Sequence, residues 1–281
     1  MRSIAKLMKD WQFNGPDGVT AAVALPHTWN AVDGQDGGND YWRGTCTYRT
    51  SFAAPAYDPA QQQVWLQFEG VNSSATVLLN GQQLCTHDGG YSTFRAEVTE
   101  LLQAENQLTV QVDNSVNDRV YPQKADFTFY GGIYRDVSLL VVNKNHVALG
   151  HFGDTGVKIT PDLKEGSADI QVETLVEGEG TVVVELLDAE GSTVAKGEGE
   201  KASLHLDAPH LWNGVKDPYL YTCIVRLMQD GKPVDEVTTK VGIRSFSVDA
   251  KKGFFLNGKP YPLHGVSRHQ DRKGLGNAIT R

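Results

Sequence analysis

Apolar and polar residues alternate along most of this chain. In Val64-Trp65-Leu66-Gln67-Phe68 the valine, leucine and phenylalanine share one face. Leu108, Val110 and Val112 alternate with Thr109 and Gln111, and Val137, Leu139 and Val141 repeat the pattern. A period of two marks strands with one buried side. Strong hairpin signals separate such runs: Asn80-Gly81 after TVLL, Asp230-Gly231 after CIVRLMQ, and Asn257-Gly258 after FFL. Asn-Gly and Asp-Gly supply the positive φ angles that two-residue turns need. Helical signals are scarce. Glu97 to Leu102 is long enough for one or two turns, and no run of twelve residues has helical period. The pattern predicts an all-β protein whose strands bury one face each in two-layer sandwiches.

A boundary falls near Val142 to His151. Beyond it, Asp169 to Phe246 reads as about seven short strands in a block of about 100 residues, the size of an immunoglobulin-like module. At Ser247 the character changes again. FFLNGKPYPLHGVSRHQDRKGLGNAIT begins as a hairpin and then turns polar and Gly-rich. It is too short for a domain. The expected division is 1–143, 144–246 and 247–281.

Composition narrows the function classes. With 281 residues, two domains are the prior expectation. The 29 glycines suit many short strands. A net charge of −8 fits poorly with a polyphosphate backbone or an anionic membrane surface, so no nucleic acid and no membrane is expected as a partner. Cys46, Cys85 and Cys223 are odd in number and far apart, which argues against a disulfide framework or a thiolate zinc site. Free thiols, a start (MRSIAKLMKDW) without a long apolar run, and no stretch near ~18 apolar residues point to the cytoplasm.

Several segments, in order, resemble glycoside hydrolases of family 2. Leu25-Pro26-His27-Thr28-Trp29-Asn30 looks like the family's Pro-His-Thr/Asp-Trp signature. Tyr41-Trp42-Arg43-Gly44, Phe68-Glu69-Gly70-Val71 and His87-Asp88-Gly89-Gly90-Tyr91 follow, and then Gly131-Gly132-Ile133-Tyr134-Arg135-Asp136-Val137. Val241-Gly242-Ile243-Arg244 ends the second block. Phe255-Leu256-Asn257-Gly258-Lys259-Pro260 to Gly265-Val266-Ser267-Arg268-His269 is similar to the beginning of the family's catalytic barrel. Each motif is weak alone; together they cover essentially the whole chain. The resemblance implies a jelly-roll sugar-binding domain, an immunoglobulin-like sandwich, and a severed start of a TIM barrel.

The resemblance also says what is missing. A retaining glycosidase needs two carboxyl groups about 5–5.5 Å apart. In this family both are glutamates on later barrel strands, the first following an asparagine. No Asn-Glu dipeptide occurs here, and beyond Ser247 the carboxylate side chains are Asp249 and Asp271. A barrel takes roughly 250 residues and about 35 remain. The chain alone is therefore expected to be inactive, with no catalytic residue and no cofactor of its own. A divalent or monovalent metal would belong to the missing barrel.

What remains is a substrate subsite. Asp126, upstream of Gly132-Ile133, matches a family Asp that reaches the barrel mouth and binds galactose hydroxyls, a task suited to a carboxylate acceptor. As a plain loop residue it would cap a turn. His269 matches a substrate-contacting His at the end of the first barrel strand, and Arg268 an arginine that orients active-site carboxylates. A severed strand, however, is not expected to hold either in place. Ser267 stands where the family usually has Asn, and Gln270-Asp271 replaces Glu-His. The run Asp33-Gly34-Gln35-Asp36-Gly37-Gly38-Asn39-Asp40 resembles a calcium loop but fails EF-hand spacing. It reads as a polar loop, in which the family would place Asn39 at the sugar. His27 is expected to hydrogen-bond locally and Trp29 to bury its ring.

The parent activity implied is cleavage of terminal β-linked sugars, galactosides ahead of glucuronides or mannosides, on Asp126 and on the Arg268-His269 pair; a glucuronidase would need cationic groups for the substrate carboxylate, which an Asp at the pocket disfavours. The partner is then a carbohydrate, a β-galactoside. A homo-oligomer is compatible with the family and not fixed by the residues. The alternative from another class is a stand-alone carbohydrate-binding module, which would have no use for the Val-Ser-Arg-His strand.

Overall fold

The computed structural model describes residues 1–33, 42–122, 125 and 127–280. The chain is all-β, and its described helices are three single 3-10 turns. One of these, Thr99–Leu101, sits where a turn or two of helix was expected. Among the described residues no helix is long and apolar enough to cross a membrane. The chain divides into two compact units, Ser3–Val141 with Arg268–Arg281, and Met1–Arg2 with Val142–Ser267.

The first unit is a jelly-roll sandwich. Its strands are β1 (Ser3–Lys6), β2 (Trp11–Asn14), β3 (Thr20–Val23), β4 (His27–Thr28), β5 (Thr45–Ala53), β6 (Gln62–Phe68) and β7 (Val71–Asn72). They continue as β8 (Ser74–Leu79), β9 (Gln82–Asp88), β10 (Phe94–Glu97), β11 (Glu105–Asp113), β12 (Gly132–Ile133) and β13 (Val137–Asn143), of which the last two residues fall in the other unit. A four-stranded sheet, β1-β13-β6-β10, packs on a six-stranded one, β3-β2-β5-β11-β8-β9. A short sheet, β4-β12-β7, lies beside them. Val64, Leu66 and Phe68 of β6 share one core with Tyr48 of β5, Val77 and Leu79 of β8, and Leu108, Val110 and Val112 of β11. The period-two reading of β6 and β11 is thus the inner face of the sandwich. On β13 it understates burial, because Ser138, Leu140 and Val142 are covered as well as Val137, Leu139 and Val141. A strand with both faces covered has no polar side to advertise.

The turns follow their chemistry. Asn80 and Gly81 both have positive φ (52° and 83°) and join β8 to β9. Asn80 also works through its side chain: its Nδ2 donates to Leu101 O and to Asn106 Oδ1, each at 3.0 Å, and its Oδ1 accepts from Gln107 N at 2.9 Å. This ties the hairpin tip to the start of β11.

The second unit is an immunoglobulin-like sandwich. Its strands are β14 (His146–Val147), β15 (Val157–Leu163), β16 (Ser167–Thr174), β17 (Val176–Glu177), β18 (Thr181–Leu187), β19 (Thr193–Glu198), β20 (Lys201–Asp207), β21 (Tyr221–Gln229) and β22 (Lys232–Val241). Sheets β15-β16-β20 and β19-β18-β21-β22 enclose one core, with Ile170 and Val172 from the first and Val184, Leu186, Cys223 and Val225 from the second. Asp235 of β22 is fully buried. It accepts from both Arg2 Nε (2.8 Å) and the Val147 amide (2.8 Å), so residue 2 is part of this unit. A three-stranded meander follows, β23 (Phe246–Asp249), β24 (Gly253–Leu256) and β25 (Lys259–Pro260), with its last turn at Asn257-Gly258.

Candidate functional site

Residues 127–131 of the first unit run without regular strand partners until β12 begins. Their backbone groups still have to be satisfied. Buried asparagines do this. Asn114 Nδ2 donates to Phe129 O at 2.8 Å, and Asn114 Oδ1 accepts from Gly44 N at 2.9 Å. Asn30 Oδ1 accepts from Gly131 N at 2.9 Å. Asn72 Nδ2 and the Tyr134 hydroxyl both donate to Tyr130 O. Burial pushes the Tyr134 phenol well above its ordinary pKa, so it stays a neutral donor. Each amide carries donors and an acceptor on one rigid plane and can stand in for a sheet neighbour. Gly131 belongs to the same construction, since a Cβ there would lie 1.9 Å from the Trp29 ring.

The segment so held forms one wall of a cleft of about 340 Å³. Phe127 and Tyr130 face it from this wall, Tyr91 from the loop after β9, and Arg135 from the turn before β13. The opposite wall is the C-terminal stretch, with Arg268, His269, Asp271 and Asn277. That stretch is anchored. The Tyr130 hydroxyl donates to Asp271 Oδ2 at 3.1 Å, and Asn277 Nδ2 donates to the Tyr91 hydroxyl at 2.6 Å. Arg135 donates to Asn277 O at 3.3 Å, and Gly274 N to Ala31 O at 3.0 Å. Gly276, at φ +54°, fits against Thr28 and Tyr130 where a Cβ would come within 3 Å of both. The His269 ring stands edge-on to Phe127, centroids 6.2 Å apart.

A second cavity of about 460 Å³ adjoins the cleft and shares Tyr91, Phe127, Thr128 and Tyr130 with it. Arg43 borders it, with its guanidinium 4.7 Å from the centre of the Phe129 ring and its Nε donating to Asn114 O at 2.8 Å.

Of the residues singled out in the sequence, Arg268 and His269 lie on the cleft, both exposed. The stretch following them is tied to the jelly roll at Asp271, Gly274 and Asn277, a set of anchors the sequence did not lead us to expect. Asn39 and Asp126 lie outside the described residues, as does most of the acidic loop. Asp33, which is described, accepts from Trp42 N at 3.0 Å. No group of three or more His, Cys, Asp or Glu suited to a metal occurs among the described residues. The cleft has one described carboxylate, Asp271, so the described residues offer no pair for double-displacement chemistry. His27 takes no part. Its Nδ1 meets the Tyr48 hydroxyl at 2.7 Å, a partner across the fold rather than a local one, and burial lowers its pKa to about 4.

Sequence reasoning passed over Tyr91, Arg135 and Asn277 as site residues. Tyr91 and Arg135 do stand in the motifs His87-Asp88-Gly89-Gly90-Tyr91 and Gly132-Ile133-Tyr134-Arg135. For Tyr91 the available signal was an aromatic residue beside the glycines of a turn, Gly89 and Gly90; Arg135 follows strand β12 and carried no such mark. Asn277 gave none, because its partner is 186 positions away.

Comparison with known proteins adds the following. Residues 37–173 match the glycosyl hydrolase 2 galactose-binding domain-like family, and residues 151–244 match glycosyl hydrolases family 2. A β-glucuronidase of Bacteroides fragilis is 36% identical over 97% of this chain and 42% of its own length. Among solved structures, an FMN-binding β-glucuronidase from Faecalibacterium prausnitzii is 38% identical with a TM-score of 0.95, over 100% of this chain and 45% of that one. A β-galactosidase so assigned from Bacteroides fragilis is 37% identical with a TM-score of 0.92, over 99% and 46%. The chain spans less than half the length of these proteins.

Proposed function

Because the chain belongs to glycosyl hydrolase family 2, we propose that it is the sugar-facing front portion of a retaining glycosidase that removes a terminal β-linked sugar. The domain limits we assign are 1–143, 144–246 and 247–281. The observation that carries the proposal is the cleft in which Arg268, His269 and Asp271 face Phe127, Tyr130 and Arg135. In this reading His269 contacts the sugar and Arg268 orients the catalytic carboxylates. Asp126 accepts hydrogen bonds from sugar hydroxyls, and Asn39 reaches the same subsite. The acid/base and nucleophile come from residues beyond this chain, which by itself turns nothing over.

For the sugar, the described cleft favours a uronide. Two guanidinium groups, Arg135 and Arg268, face it against one described carboxylate, Asp271, a net positive balance among the described residues. An anionic sugar gains from such a field. The names of the relatives, β-glucuronidase more often than β-galactosidase, agree. A second reading, a β-galactosidase, rests on Asp126, whose charge would oppose a substrate carboxylate. Aryl β-glucuronide and aryl β-galactoside offered to a chain extended to the length of its relatives decide between them. We expect kcat/KM to favour the glucuronide, and Arg268→Ala to lower it at least about 100-fold. Preference for the galactoside would establish the second reading instead.

A further inference from the structure

Arg268 and His269 stand on the cleft with little to hold them. Every residue from 262 to 270 is exposed, and none of them is hydrogen-bonded to a described residue. The edge-on contact of His269 with Phe127, centroids 6.2 Å apart, is a modest restraint on an exposed ring. Side chains on such a stretch keep much of their rotamer freedom. The first tie beyond them is at Asp271, two residues past His269, whose Oδ2 accepts from the Tyr130 hydroxyl at 3.1 Å.

The donor side of that bond is rigid. Tyr130 is 2% exposed, and its carbonyl accepts from both Asn72 Nδ2 and the Tyr134 hydroxyl. Backbone and ring are therefore fixed in the same residue. The ring also backs the turn that follows Asp271. Arg272 N donates to Gly276 O at 3.2 Å and Gly276 N to Arg272 O at 2.8 Å, and a Cβ on Gly276 would lie 2.9 Å from the Tyr130 ring. Tyr130 thus meets the opposite wall at two points. The tie between Tyr91 and Asn277 is weaker in kind, because Tyr91 is 67% exposed and water competes for its hydroxyl. Gln270-Asp271 stands where the family usually has Glu-His, so the bond from Tyr130 to a carboxylate at 271 is not implied by the resemblance.

We propose that Tyr130 is a positioning residue of the cleft: by holding Asp271 it sets where Arg268 and His269 stand against the sugar. This rests on the glycosidase reading above. A reacting or binding group displaced by about 1 Å can cost roughly 100-fold in rate, so one hydroxyl close to His269 has leverage on the chemistry.

The test is Tyr130→Phe, which keeps the buried ring and removes the hydroxyl. In the 281-residue chain the imidazole NMR signals of His269, assigned by their loss in His269→Gln, should move, while those of His205 stay. Asp271→Ala cuts the same bond from its other end and should move them too. In a chain extended to the length of its relatives, Tyr130→Phe should lower kcat about tenfold on whichever aryl β-glycoside the parent turns over, with Tm down by only about 2–4 °C. A purely structural tyrosine would lower Tm and leave both kcat and the His269 signals in place. The proposal is overturned if Tyr130→Phe leaves the His269 signals unmoved, or if the extended variant keeps the kcat of its parent. If the extended parent cleaves neither an aryl β-glucuronide nor an aryl β-galactoside, the glycosidase reading fails, and the His269 signals alone decide whether Tyr130 sets this wall.

Discussion

His27 shows how a residue that invites a catalytic reading can be a structural one. Burial holds its imidazole near pKa 4, below the 6.5 of a free histidine. The unfolded chain therefore takes up a proton that the fold refuses. The stability tied to His27 is complete above about pH 6.5 and is lost as pH falls toward 4, with a limiting slope of about 1.4 kcal/mol per pH unit. His27→Phe removes the titrating group and keeps a ring. Thermal unfolding followed from pH 7 to pH 4 should show a shallower loss of Tm for this variant, although Tyr48 loses its partner and the whole curve starts lower. Parallel curves would refute the assignment. Asn114 is the second telling residue, at 1% exposure. Asn114→Ala strands Gly44 N and leaves Phe129 O with the longer 3.5 Å bond from Asn30 Nδ2, at a cost of about 1–3 kcal/mol for the group left unpaired. Urea titration should record this, with the NMR signals of 127–131 perturbed more than those of β16.

At the scale of elements, what was legible was local. The buried faces of β6 and β11 are written as a period of two. The turn at Asn80-Gly81 is written in two residues whose positive φ angles the fold uses. What was hidden was long-range. Nothing near Asn30, Asn72 or Asn114 says that their amides will serve as strand neighbours for residues 129–131, because the partners are 58 to 101 positions away in two cases. The same holds for the N-terminal arm. Arg2 reads as an ordinary surface charge at the start of a chain, yet it forks onto Asp235, which has no exposed surface. Removing one partner of a buried pair leaves the other charge uncompensated, so Arg2→Ala should destabilise the immunoglobulin-like unit by about 3–5 kcal/mol. Calorimetry should find a lowered transition for that unit. An unchanged transition would mean that the pair contributes nothing there.

At the scale of the molecule, the described cleft is built by the first unit alone. The jelly roll contributes Tyr91, Phe127, Tyr130 and Arg135, and the C-terminal stretch contributes Arg268, His269 and Asp271. In the meander of the second unit, Phe246 and Val248 are 70% and 75% exposed, and on the segment after it Val266 is 92% exposed. Apolar side chains standing that far into water are ready to be covered. The β-glucuronidases named above are more than twice as long, and in the reading proposed above residues corresponding to their remaining length cover these side chains. A chain extended to that length should bury these side chains, and hydrogen exchange across Phe246–Leu256 should slow relative to the 281-residue chain.

The central claim is that this chain recognises a β-linked sugar and depends on further residues to cleave it. The most direct measurement is release of product from an aryl β-glucuronide and an aryl β-galactoside by the 281-residue chain and, side by side, by the chain extended to the length of its relatives. The account predicts turnover of at least one glycoside by the longer protein and none by the shorter. Turnover by the 281-residue chain itself, or none by the longer protein with either glycoside, would contradict it.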